Sequence, residues 1–139
     1  EQYNFTIGEV DILRSGSDAT IISTGALLAT CLESADNLGK IGLNCRDINM
    51  PTLKPTNAQA ILKAANETGA IITVEEHYIH GGLGSIVAQT LGEGCPTPLG
   101  MVALTGYAES CNSQKLLEKS QLTADNIMKT VQRVVARKN

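Results

Sequence analysis

The stretch Glu75-Glu76-His77-Tyr78-Ile79-His80-Gly81-Gly82-Leu83-Gly84-Ser85 gathers both histidines of the chain, two carboxylates and three glycines into eleven residues. A carboxylate beside an imidazole can tune it for proton transfer, and the amides that open a following helix can hold an anion. A glycine-rich passage from strand to helix also serves plain backbone geometry. Turn geometry, anion contact, acid–base work and an interface are therefore the readings for Glu75, Glu76, His77, His80, Gly81, Gly82, Gly84 and Ser85. The named nucleotide motifs do not fit. After Gly82 and Gly84 the third glycine of a dinucleotide fingerprint would fall on Val87, and neither a Walker A loop nor a Gly-x-Ser-x-Gly elbow occurs. His77 and His80 would share one face of a helix and could ligate a metal there, whereas in a glycine-rich loop such histidines usually serve as hydrogen-bonding residues. Cys31, Cys95 or Cys111 with a histidine would make a nucleophile pair only if something lowered the thiol pKa, and no local feature does.

The elements that must position this stretch follow from hydrophobic spacing. Ile7 to Leu13 alternates as a half-buried strand, Ser15 to Asp18 supplies a turn, and Ala19 to Ile22 is apolar, so these two strands are expected to pair antiparallel. Leu27, Leu28, Cys31, Leu32, Ala35 and Leu38 recur at helical spacing, with Gly39 as the expected terminator. Leu43 to Met50 reads as a strand closed by Pro51. The segment Met50 to Pro55 brackets Lys54 between prolines and should be a stiff connection or a partner contact. Thr56 and Gln59 stand as a capping box ahead of Ile61, Leu62 and Ala65, and Gly69 ends that helix. Ala70 to Val74 is apolar almost throughout, as a strand covered on both faces needs. A helix with Ile86, Val87, Thr90 and Leu91, a strand over Leu99 to Leu104, and a final helix complete the order. In the last, Thr123 is the cap, Leu122 and Ile127 the hydrophobic staple, and Val131, Val134 and Val135 continue the stripe. Arg133, Arg137 and Lys138 suit its C-terminal dipole.

Strands alternating with helices predict an α/β fold with helices on both faces of a mostly parallel sheet. Ligands in such sheets sit at the carboxyl ends of strands, which points to the loops after Ile22, Met50, Val74 and Leu104. The chain has 139 residues, enough for a single domain over 1–139, and its opening without Met reads as a piece of something longer. A formal net charge of −3 offers no cationic footprint for nucleic acid or anionic lipid. No apolar run approaches the roughly 20 residues a membrane span requires. The four cysteines, Cys31, Cys45, Cys95 and Cys111, form no Cys-x-x-Cys unit, and with no secretory leader in view they are expected to be reduced thiols of a cytoplasmic protein.

The order of motifs adds a resemblance. Asp18-Ala19-Thr20-Ile21-Ile22-Ser23-Thr24-Gly25, Asn49-Met50-Pro51-Thr52-Leu53-Lys54-Pro55, Thr68-Gly69-Ala70-Ile71-Ile72-Thr73-Val74-Glu75-Glu76-His77 and Gly81-Gly82-Leu83-Gly84-Ser85 together resemble the C-terminal domain of transketolases, most of all the split or small-subunit type. Deoxyxylulose-phosphate synthases and the beta subunits of 2-oxoacid dehydrogenases carry similar domains. Ala103-Leu104-Thr105-Gly106-Tyr107-Ala108-Glu109-Ser110 matches the later family strand and loop only loosely. The resemblance implies a three-layer α/β/α domain on a five-stranded sheet, four strands parallel and one antiparallel. It also implies membership of an enzyme that moves two-carbon ketol units between sugar phosphates with thiamine diphosphate and Mg. In that family the cofactor lies between two other domains, held by a Gly-Asp-Gly motif and a Glu toward the aminopyrimidine. Gly-Asp-Gly is absent from this chain. The expectation is a non-catalytic assembly and dimerisation domain, binding no cofactor itself, whose partners are the remaining transketolase domains or subunit and a second protomer. A stand-alone nucleotide or phosphosugar module built on the His77 to Ser85 loop is the alternative.

Overall fold

Ile71–Tyr78 (β4) lies near the middle of a five-stranded sheet, buried without interruption from Ile71 to Glu75. The computed structural model describes residues 3–106 and 112–138; the Tyr107 to Ser110 part of the resemblance and Cys111 lie outside them. In the order β1-β3-β2-β4-β5, Asp11–Arg14 (β1) pairs antiparallel with Cys45–Asn49 (β3). Ala19–Ser23 (β2) runs parallel to both β3 and β4, and Leu99–Leu104 (β5) runs parallel to β4. The sheet is thus the mostly parallel one expected, with one antiparallel strand.

The expected pairing of the first two strands does not occur, because β3 lies between them. All five residues of β2 are buried and need a neighbour on each side, whereas β1 has an exposed middle and suits an edge. The connection from β1 to β2 passes tightly over the start of β3. A Cβ on Gly16 would stand 2.2 Å from the Cys45 carbonyl carbon, and Ser17 and Asp18 both donate their amides to Asn44 O, at 3.0 and 2.9 Å.

Leu28–Lys40 (α1) and Ala124–Val135 (α5) cover one face of the sheet, packing Cys31, Ala35, Leu38, Ile127, Val131 and Val134 on Ala19, Ile21, Ile72 and Val74. Ala58–Thr68 (α2) and Leu83–Gly94 (α3) cover the other, with Ile61, Ala65, Val87 and Leu91 on Ile22, Ile48 and Ile71. From β2 the chain moves outward to β3 by α1, then reverses past β2 to β4 by α2. A reversal with crossovers of one hand puts α1 and α2 on opposite faces, and it leaves a switch point between the carboxyl ends of β2 and β4.

Two helix ends differ from the expected ones. Gly39 lies inside α1, and the helix closes instead at Gly42, φ +87°, with Leu43 N bonded to Leu38 O and Gly42 N to Gly39 O. That is the paired bonding of a Schellman end. At α2 the cap is Asn57, whose side chain accepts from Ala60 N at 3.0 Å while its amide nitrogen donates to Gly8 O at 2.9 Å. Thr56 donates to Leu53 O and Gln59 is exposed, so no capping box forms. Gly69 does end α2, at φ +68°. Thr123 accepts from Asn126 N at the start of α5, with Leu122 and Ile127 both buried. The short Ser113–Lys119 (α4), capped by Asn112, has too few apolar positions to signal a helix by spacing.

Candidate functional site

The stretch read as a loop after Val74 is in its first third still strand. Glu75 to Tyr78 extend β4 beyond the end of β2, whose last partner is Val74 opposite Ser23, and only Ile79 to Gly82 connect to α3. Strand alternation therefore sends neighbouring carboxylates opposite ways. Glu75 is 1% exposed while Glu76 is at the surface.

Glu75 lies beside the switch point and its carboxylate turns onto the first turn of α3. Oε2 accepts the Leu83 amide at 2.7 Å and Oε1 the Gly84 amide at 3.0 Å. These donors have no partner within their own helix, and the positive end of the helix dipole favours a negative group there. The carboxylate fills the place that an external phosphate would take in a nucleotide-binding sheet. Gly82 is the residue that leaves room for it: a Cβ there would stand 2.2 Å from Glu75 Oε2 and 2.9 Å from His77 Nδ1. Gly84 is also close-packed, its hypothetical Cβ 2.9 Å from Met101 Sδ and 3.1 Å from Thr73 Oγ1.

The rest of the stretch is divided between structure and surface. Gly81 takes φ +87°, and its amide donates to Ser85 Oγ at 2.8 Å, while that hydroxyl donates to Ile79 O at 3.2 Å. His77 Nδ1 lies 2.9 Å from Tyr78 O; a carbonyl only accepts, so the hydrogen sits on Nδ1. His77 is on a strand and His80 follows it in the connection, so the helical spacing that would suit a shared metal does not arise. Among the described residues no group of three or more His, Cys, Asp and Glu comes together in a way that could hold a metal ion. Glu76, His77, Tyr78 and His80 form an exposed tip at the carboxyl edge of the sheet.

Two grooves of about 270 and 310 Å³ lie elsewhere, one between β5 and the α4–α5 turn and one beside Cys95 and Pro96. Cys31, Cys45 and Cys95 are free thiols, and burial pushes Cys31 and Cys45 up to about 12, so both are neutral and inert as nucleophiles. Sequence reading passed over Asp47, buried at mid-strand in β3, although its place between Cys45 and Ile48, two positions from one and next to the other on a strand whose alternation puts it on the Cys45 face, was the available signal.

The fold is a three-layer α/β/α sheet with one antiparallel edge strand, and its sequence assigns it to a family. Residues 8–127 match the family described as "Transketolase, C-terminal domain", and the chain belongs to that family. It is 39% identical over 140 residues to the 6-deoxy-6-sulfo-D-fructose transketolase subunit SqwH of Clostridium sp. (strain MSTE9), covering 100% of this chain and 44% of that protein. With an apulose-4-phosphate transketolase subunit of Phocaeicola vulgatus it shares 36% identity over 131 residues, 94% of this chain and 42% of that one. A solved structure described as a split-gene transketolase, inactive beta4 tetramer, superposes with a TM-score of 0.95 at 36% identity, covering 99% of this chain and 45% of the other. The chain spans less than half the length of these relatives.

Proposed function

We propose that this chain is the C-terminal assembly and dimerisation domain, 1–139, of a thiamine-diphosphate- and Mg-dependent transketolase that moves two-carbon ketol units between sugar phosphates in the cytoplasm. Its partners in this reading are the remaining transketolase domains or subunit and a second protomer. The observation that carries the reading is the full-length match of this chain to less than half of transketolase subunits, from sequence and from the TM-score of 0.95.

The residues present do not fit thiamine diphosphate. The amide cradle at the switch point is held by Glu75, whose charge would repel a diphosphate, and no acidic cluster suited to its metal is formed among the described residues. No reaction step is assigned to this chain. Its work is to present a surface, and the exposed Glu76, His77, Tyr78 and His80 tip, held by the Glu75 clamp, is the contact we assign to interdomain packing.

Calorimetric titration of the protein with thiamine diphosphate and magnesium tests the division of labour, with no heat beyond dilution expected. Saturable micromolar binding would sink it. Mixing the chain with the remaining transketolase portion and following the complex by sedimentation tests the assembly role, for which a stable complex is expected.

A further inference from the structure

Asp47 sits at the middle of β3, 1% exposed, with both carboxylate oxygens buried and without a hydrogen-bond partner. Its strand neighbours are Ile21 of β2 and Arg14 of β1. The register shifts between Ile12 and Arg14, so Arg14 faces Asp47 at an irregularity of the ladder. It is near enough for its charge to act on Asp47, yet its guanidinium Nη1 pairs outward with Asp36 on α1. The same guanidinium packs over α1 at Gly39, where a Cβ would stand 3.0 Å from Nη2. One cation thus faces two carboxylates, one buried and orphaned, one at the surface and paired.

The remaining titratable groups around Asp47 are thiols, Cys31 from α1 and Cys45 from its own strand. Burial and the Asp47 charge hold both up at about 12, so neither carries charge near neutrality. Asp18, from the connection before β2, acts on Cys45 from outside this cluster. Arg46, next in sequence, points to the other side and pairs with Glu67 at 2.5 Å. Nothing else on the described elements competes for the choice Arg14 makes.

We propose that Arg14, Asp36 and Asp47 form a proton-operated latch between the edge strand β1 and helix α1. With Asp47 neutral, Arg14 pairs with Asp36 and ties β1 to α1. With Asp47 ionised, a bare buried carboxylate outcompetes a solvated one for the same guanidinium, Arg14 turns inward, and Asp36 is released. The proton leaves to solvent and no other group changes charge. Desolvation is the larger influence on Asp47 and raises it to about 7, with Arg14 pulling it down and Asp36 pushing it up, so the latch would change state near neutrality. An aspartate whose proton is held more tightly in the folded than in the unfolded chain stabilises the fold fully below its ordinary value of 3.8, and loses that contribution as pH rises toward about 7.

Carboxyl-carbon NMR titration of the protein tests this directly. Asp47 is expected to titrate with a midpoint near 7, and the Asp36 signal to show an inflection at the same pH as Arg14 departs. In Asp47→Asn, which keeps the shape of the neutral acid, the Asp36 inflection should vanish, and the fall in Tm between about pH 4 and about pH 7 should flatten. Arg14→Gln should abolish the Asp36 inflection while moving the Asp47 midpoint higher, an effect that loss of packing alone would not produce. An Asp47 midpoint near 4, or an Asp36 signal blind to the ionisation of Asp47, would overturn the latch, and either is read on the wild-type protein even if a variant fails to fold.

Discussion

Glu75 Oε2 accepts the backbone amide of Leu83 at 2.7 Å, so a side chain from β4 caps the helix that begins eight residues later. The contact is fully buried, and its second oxygen takes the next amide, from Gly84. Strand end, connection and helix start are thereby fixed as one unit, and the exposed residues between them inherit their position from it.

Removing that carboxylate leaves two buried amides without acceptors. Glu75→Ala should destabilise the domain by about 3 kcal/mol and Glu75→Gln, which keeps one oxygen acceptor, by about 1 kcal/mol, measured by urea unfolding. The vacated cradle of the Ala variant should then take an anion. Sulfate should raise the Tm of Glu75→Ala by more than it raises that of the wild type, and equal gains would show that the cradle does not persist without its carboxylate.

Two glycines of the same region should respond in opposite directions. Gly82→Ala places a methyl against Glu75 Oε2 and should cost about 2 kcal/mol or more, through space rather than backbone strain, since its φ of −100° is open to any residue. Gly92, inside α3 and exposed, has nothing within 4 Å of a new Cβ. Gly92→Ala should stabilise by about 0.5–1 kcal/mol. Thermal unfolding of both variants checks the pair.

Much of this architecture is legible from local patterns. The apolar run from Ala70 to Val74, the Leu99 to Leu104 strand and the Thr123 cap need only neighbouring residues to be read, and all three stand as expected. What local patterns leave out is what depends on distant partners. The insertion of β3 between β1 and β2 is decided by the burial that β2 requires on both edges. The end of α1 is decided by Gly42 rather than Gly39, since only the former takes a positive φ. Glu75 and Glu76 are chemically the same in sequence, and only the continuation of β4 past Val74 makes one a buried cap and the other a surface charge. Asp47 can be seen in sequence as a carboxylate within a strand, but that its oxygens are left without a partner is set by side chains on other elements, Arg14 pairing with Asp36 among them.

The thiols should sort by environment. Cys31 and Cys45 are buried and held up at about 12, whereas Cys95 is half-buried beside Asn66 and Thr97. Alkylation of the folded protein at mildly alkaline pH, read by peptide mass spectrometry, should modify Cys95 at least about tenfold faster than either of the other two. Equal rates at Cys31 would show that α1 opens readily from the sheet.

The last expectation concerns His77, exposed at the tip of β4 with Nδ1 bonded to the Tyr78 carbonyl. In the assembled transketolase that we propose, this tip meets another domain or protomer. His77→Ala should then weaken association, or lower the Tm of the complex, by more than it lowers kcat. The group that orders the tip is Glu75, which is buried and already committed to two amides, so it is not available to orient His77 as a base. A proton-transfer role predicts the reverse pattern, a fall in kcat of about 10²-fold or more with the assembly intact. Measuring kcat, cofactor affinity and subunit dissociation on the same variant separates the two, because a packing residue moves dissociation first and a catalytic one leaves it alone. An intact assembly with a collapsed kcat would transfer His77 from the interface to the chemistry.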